Sequence, residues 1–170
     1  MGHTIEQFGA ACHEAIKADQ GADGVEQVRL LLEAVLKDDE FIATHLGPDK
    51  TSDRTILYED EEFGFCIVAH VYQGAKGSNP HDHGPTWAIY GQAAGVTVMT
   101  EWKLLERPKD GEPGKVEKVG SYDLKPGMAH KYLTGDLHSP SRDGTTRLIR
   151  IEGSNLKLVK REAYRAVETV

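Results

Sequence analysis

The segment Pro80-His81-Asp82-His83-Gly84-Pro85-Thr86-Trp87 decides how this chain is read. On an extended strand, residues two apart point to the same side. His81 and His83 can therefore reach one metal ion, while Asp82 between them points away. A lone pair of this kind also suits a polar loop with two solvated histidines, so its surroundings matter. Upstream, residues 63–72 are apolar at nearly every position, as in a strand buried on both faces. Downstream, residues 86–92 are a further strand candidate. Val96, Val98, Thr100, Trp102 and Leu104 then alternate with Thr97, Met99, Glu101 and Lys103. The histidine pair thus sits between strands.

The strand character extends over the rest of the chain after residue 50. Residues 55–58, 116–124, 128–133, 145–151 and 156–159 are further candidates, separated by turns at Gly74 to Gly77, Gly111 to Gly114, Pro126-Gly127 and Asp143-Gly144. Many short strands with regular turns imply an antiparallel sandwich or barrel. Before residue 50 the period is helical. Thr4 and Gln7 form a capping box, followed by Ile5, Phe8, Cys12 and Ile16 at helical spacing. Asp23 with Glu26 suggests a second cap, ahead of the stripe Val25, Val28, Leu32, Val35 and Leu36. A short third helix is expected over residues 40–46, ended by Gly47-Pro48. The expectation is one domain over residues 1–170, with a helical segment (1–50) packed on a β-barrel (51–170).

Composition narrows the function. A chain of 170 residues buries enough surface to fold without disulfides or a structural metal. Its formal charge of −7 argues against a protein that tracks nucleic-acid phosphates. No basic amphipathic stretch suggests a membrane surface, no apolar run reaches spanning length, and the N-terminus shows no signal pattern. Cys12 and Cys66 lie far apart in no metal-binding spacing, and two buried reduced thiols are expected over a lone disulfide. The default expectation is a cytoplasmic monomer or homodimer.

The histidine segment resembles the first sequence motif of the cupin superfamily: His-x-His, three or four residues, Glu, six residues, Gly. Here His81 and His83 are followed by a four-residue gap, Ala88 in place of the glutamate, six residues and Gly95. The second cupin motif places a histidine after Gly-x-x, and the chain offers this at Gly127-Met128-Ala129-His130 and at Gly135-Asp136-Leu137-His138. The resemblance implies a double-stranded β-helix, the jelly-roll barrel, preceded here by two or three helices.

Residues 54–155 resemble one cupin branch more specifically, the three-histidine thiol dioxygenases typified by cysteine dioxygenase. In that family an arginine opens a strand, and an apolar strand leads through a glycine-rich turn into His-x-His. Arg54-Thr55-Ile56-Leu57, residues 65–72 and the segment from Gly74 to His83 follow this order. The family's third histidine falls in a segment that residues 129–138 match without a gap, which selects His138 over His130. The resemblance implies one divalent metal per chain held by His81, His83 and His138, with ferrous iron as the metal and a small anionic substrate and dioxygen as partners. Imidazole ligands also suit zinc, nickel and copper, and manganese stays open.

The resemblance also distributes roles. Arg54 would pair with a substrate carboxylate through its bidentate fork, or stand solvated at a strand start. Trp87 would wall the pocket or pack in the core, and Tyr90 would donate to bound dioxygen or substrate, or fill the core. On strand 146–152, Leu148, Arg150 and Glu152 stand where the family carries a Ser, a His and a Tyr. Arg150 and Glu152 then face the metal as catalytic or substrate-binding groups, or lie on a solvated outer face. Ala88 occupies the position of the cysteine that cross-links to tyrosine in animal members. His70 is expected to be a core histidine. Glu101 or Glu152 could convert the site to two histidines and a carboxylate. These departures turn the expectation away from cysteine itself, toward another thiol or a non-thiol such as a diketone. A non-catalytic cupin that binds a metal and a small ligand is the alternative.

Overall fold

The structure, a computed structural model, describes residues 3–167. The outer bounds of the expected domain, residues 1 and 170, lie outside the described residues. Three helices come first: α1 (Ile5–Ala18), α2 (Ala22–Leu36) and α3 (Asp39–Leu46). The Thr4–Gln7 capping box is present, with both reciprocal hydrogen bonds at 3.1 Å. The second cap differs from expectation. Gly21, without a side chain, is the N-cap of α2, and Asp23 lies inside the first turn, where its charge favours the positive helix end. Asp38 caps α3 by accepting from the amides of Glu40 and Phe41.

Ten strands follow among the described residues: β1 (Thr55–Glu59), β2 (Cys66–Tyr72), β3 (Lys76–Gly77), β4 (Ala88–Ala94), β5 (Thr97–Glu106), β6 (Gly114–Leu124), β7 (Ala129–Tyr132), β8 (Leu137–Arg142), β9 (Thr146–Glu152) and β10 (Tyr164–Ala166). They form two sheets, β1-β2-β9-β4-β7 and β10-β6-β5-β8-β3. The antiparallel pairs are nested: β5 with β6, β4 with β7, β3 with β8, and β2 with β9. A long hairpin wound up in this way is the double-stranded β-helix. The described chain is mainly β, a double-stranded β-helix (jelly-roll barrel) preceded by three helices.

The two faces of the first sheet have different work. Ile67, Ala69, Val71, Ile89, Ile149 and Ile151 point outward and pack under the helices, against Phe8, Cys12, Val28, Leu32 and Val35. The alternate residues of the same strands point into the barrel, where Tyr90, Tyr132 and Leu148 meet Met99 and Leu124 of the second sheet. This double burial explains why β2 is apolar at every position but His70. Cys12 and Cys66 are free and buried.

Several local expectations change. In β5 the buried residues are Thr97 and Met99, whereas Val98 is exposed. A register irregularity between Glu101 and Trp102 then turns Trp102 and Leu104 toward Val116, Leu137 and Tyr164. Residues 156–159 are not a strand: Asn155 caps a short 3-10 turn at Leu156–Leu158. Strand β8, without apolar alternation and carrying Pro140, has no counterpart among the expected strands. No helix among the described residues is long and apolar enough to cross a membrane.

Helix α2 lies so close to β4 that a Cβ at Gly91 would stand 2.7 Å from Leu32 Cδ2 and 2.9 Å from Leu36 Cδ1. Gly91→Ala is expected to lower unfolding free energy by about 1–3 kcal/mol through overpacking. Chemical denaturation checks this, and an unchanged midpoint would contradict the packing described.

Candidate metal centre

The nested pairing creates the site. His81 lies beyond β3 and His138 near the start of β8, and the two residues exchange both backbone hydrogen bonds, at 3.0 and 2.9 Å. Their side chains share one face, and the rings stand 4.6 Å apart. His83, two residues on from His81, brings its ring to 4.5 Å from that of His138. One ligand nitrogen from each of the three lies within 4.8 Å of the others, so the three histidines could hold a metal ion.

The surroundings fix how the rings are used. His81 Nδ1 donates to the Asn79 carbonyl at 2.8 Å, and His138 Nδ1 donates to the Asp136 carbonyl at 3.1 Å. A ring whose Nδ1 carries the proton presents a bare Nε2. His83 Nε2 lies 2.9 Å from the Tyr90 hydroxyl, which is also 3.3 Å from His138 Nε2. His83 Nδ1 is buried and has no hydrogen-bond partner among the described residues. Tyr132 stacks on His138 at 3.8 Å and holds the ring flat. Burial drives all three imidazoles below their ordinary pKa, and neighbouring positive charge adds to the effect. They are neutral and ready to ligate. Three buried, uncharged imidazoles converging on one point, two of them with bare Nε2 atoms and the third with an orphaned ring nitrogen, fit a divalent cation.

The other candidates fall into distinct places. His130 stands apart: it meets Glu101 at 3.6 Å and the rings of Tyr122 and Tyr132. Asp82 points away from the centre, accepting from the Gly84 amide and the Tyr164 hydroxyl. His70 is a core residue whose Nδ1 meets the Asp53 carbonyl at 2.7 Å. Of the two places expected for Trp87, it takes the core: it packs on the helix-side cluster and is not among the residues that line the cavity. It lies just before β4, whose Ala88 and Tyr90 face inward, and its carbonyl accepts from the Gly153 amide.

Leu148, Arg150 and Glu152 do face the barrel interior. Glu152 is completely buried and accepts from both arginines. Arg54 grips it with two guanidinium nitrogens, at 2.6 and 3.0 Å, and also reaches Asn155. Arg150 adds bonds at 2.9 and 2.6 Å, and the Leu156 amide a further one. Burial alone would raise the carboxyl pKa. The Arg54 hydrogen bond and the Arg150 charge outweigh it and bring the value down to about 2. The fork of Arg54, expected to meet a substrate carboxylate, is therefore occupied by a carboxylate of the chain itself. Neither Glu152 nor Glu101 joins the histidine cluster.

A cavity of about 330 Å³ opens onto His81 and Tyr90 and is walled by Arg150. Lys76, Arg142 and Arg161 also line it. In a chain of net charge −7 this concentration of cations is a local reversal. None of Lys76, Arg142 and Arg161 carried a sequence signal. Lys76 reads as part of a glycine turn, and Arg142 gains its position only through pairing with a distant strand.

No protein-family model and no curated protein matches the chain. Solved structures with partial likeness include a cupin superfamily protein from Desulfitobacterium hafniense, 12% identical over 63% of this chain and 84% of that one, with a TM-score of 0.44. A cupin-2 domain protein from Shewanella frigidimarina is 13% identical over 61% of this chain and 81% of that one, at 0.43. A Klebsiella pneumoniae protein with a double-stranded β-helix domain is 11% identical over 65% of this chain and 80% of that one, at 0.45. The nested strand pairing carries the fold without them.

Metal analysis of the protein loaded with a divalent cation is expected to give about one equivalent per chain, lost in His81→Ala and His138→Ala and retained in His130→Ala. Loss in the His130 variant alone would overturn the assignment. Glu152→Gln leaves two buried arginines without their counter-charge and is expected to cost about 3–5 kcal/mol. The folded carboxyl titrates below its unfolded counterpart. Its stabilisation is therefore complete above about 4.5 and fades as pH falls toward 2. Denaturation of both proteins from pH 7 to 2 should show their difference shrinking over that window; a constant difference would contradict the pairing.

Proposed function

We propose that this chain is a mononuclear non-haem iron(II) dioxygenase of the thiol dioxygenase-like type, acting on a small anionic substrate. The single observation that carries this reading is the convergence of three neutral imidazoles, with no carboxylate among them, at the end of a cationic cavity. Ferrous iron, when bound, supplies the redox chemistry through which a chelating substrate and dioxygen react side by side.

The protein's own groups do the rest. Three imidazoles bring no negative charge, so the charge balance of the site favours an anionic ligand such as a thiolate or an enolate. Arg150 lines the cavity above Tyr90, its guanidinium 5.8 Å from the ring centre, and supplies positive charge for binding. Tyr90 is buried and its phenol is pushed up in pKa by that burial, so it keeps its proton at neutral pH. Its hydroxyl, already against two ligand nitrogens, is placed to donate to whatever oxygen or sulfur enters the centre.

The resemblance to thiol dioxygenases gains support from the register. Ala88 and Glu152, at the positions of the family's cross-linked cysteine and tyrosine, are direct cross-strand partners. The same pair marks the difference. Glu152 holds Arg54 where the family's tyrosine would stand, so a carboxylate seeking Arg54 meets a carboxylate already there. This favours a substrate other than cysteine: another thiol, or a diketone. The second reading, a cupin that binds metal and ligand without turnover, has the same geometry behind it and differs only in outcome.

Oxygen consumption by iron-loaded protein, against a panel of small thiols and diketones, tests the proposal. Uptake with at least one compound is expected, lost by at least about a hundredfold in His83→Ala. Tight binding of a panel member with no oxygen uptake would establish the non-catalytic reading instead.

A further inference from the structure

Lys76 and Arg142 are direct cross-strand partners on β3 and β8. Like charges in that relation repel. Both also lie over the ring of Tyr72, the Lys76 ammonium 4.4 Å and the Arg142 guanidinium 4.5 Å from its centre. Arg142 is only 6% exposed, yet no carboxylate pairs with it, with Lys76 or with Arg161 among the described residues. A buried cation of this kind is expensive unless something anionic meets it.

The arginine is also deliberately held. Its Nε donates to Thr97 Oγ1 at 3.2 Å, and that hydroxyl donates to Gln92 Oε1 at 3.0 Å. Thr97 and Gln92 are themselves buried. This chain of hydrogen bonds holds the guanidinium through Nε, and Arg142 lines the cavity that also reaches His81, Tyr90 and Arg150. Among the described residues, the one carboxylate on the cavity wall is Glu162, which accepts from Tyr164 instead.

We infer that Lys76 and Arg142, over Tyr72, form an anion subsite that takes a second acidic group of the substrate, remote from the three histidines. The substrate class is then a small dianion: one charged end at the histidine centre, and a carboxylate, phosphate-like or sulfonate-like group between Lys76 and Arg142. Arg161, at the cavity mouth, adds charge that draws such a molecule in. Two positive elements separated along one cavity discriminate by charge number. A monoanion satisfies only one of them and leaves the buried guanidinium unmatched. The inference rests on reading this cavity as the substrate site.

Calorimetric titration with succinate and with butyrate, two four-carbon acids differing in one carboxylate, tests it on zinc-loaded and on metal-free protein. Succinate is expected to bind at least about tenfold more tightly, from one additional charge-assisted contact. Lys76→Gln and Arg142→Gln should each remove most of that advantage. Lys76 is exposed, so its variant keeps the test meaningful if the Arg142 variant fails to fold. Equal affinities for the two acids, or an advantage that survives in Lys76→Gln, would overturn the subsite. A 3-phosphonopropionate arm identifies the preferred acid: tighter binding than succinate assigns a phosphate-like group, weaker binding a carboxylate. Metal content measured on the same samples keeps the two claims separate. A dianion preference without metal uptake refutes the iron reading alone, and normal metal uptake without a preference refutes the subsite alone.

Discussion

Two backbone hydrogen bonds between His81 and His138 set the geometry on which the chemistry depends. They arise because the barrel is one long hairpin wound on itself, so residues far apart in the chain must pair. Once that register holds, the two imidazoles share a face, and the alternation of an extended chain adds His83 without further instruction. Backbone carbonyls at Asn79 and Asp136 then choose the ring tautomer. The ligand set is thus a product of main-chain hydrogen bonding, which is why it can be rigid in the absence of any charged residue among the ligands.

Charge is arranged in two layers around this neutral centre. Deeper in, Glu152 accepts from both Arg54 and Arg150, in a hydrogen-bonded cluster that keeps one net positive charge. Toward the cavity, Arg142 and Lys76 face each other with no such carboxylate partner among the described residues. The contrast matters because the interior penalises any unmatched charge. A fold that gives Arg150 a carboxylate partner and, among the described residues, gives Arg142 none, on the wall of the same cavity, has placed an affinity for anions where a substrate enters.

Much of the fold was legible because burial writes a period into the chain. The stripes of α1 and α2 and the apolar run of β2 all coincide with buried faces. The histidine pair was legible for the same reason, since it depends only on local alternation. Legibility ends where a neighbour from another strand decides. Strand β8 runs Leu137-His138-Ser139-Pro140-Ser141-Arg142, and its identity comes from pairing with β5 on one side and β3 on the other. Trp87, next to His83, suits a pocket wall and the core equally, and its place is fixed by a distant segment, whose Gly153 amide donates to the Trp87 carbonyl. Arg54 and Glu152 each carried a signal, whereas their mutual grip did not. Arg142 carried none, because its meaning lies in Lys76 and Thr97, which no sequence pattern joins to it.

The central claim is a metal held by imidazole alone. X-ray absorption at the zinc edge of the zinc-loaded protein tests it most directly, because imidazole rings give distinctive outer-shell scattering. The account predicts three imidazole nitrogens at about 2.0–2.1 Å, with the remaining coordination filled by solvent or added ligand. A shell holding a protein carboxylate, or one with fewer than three imidazoles, would contradict it.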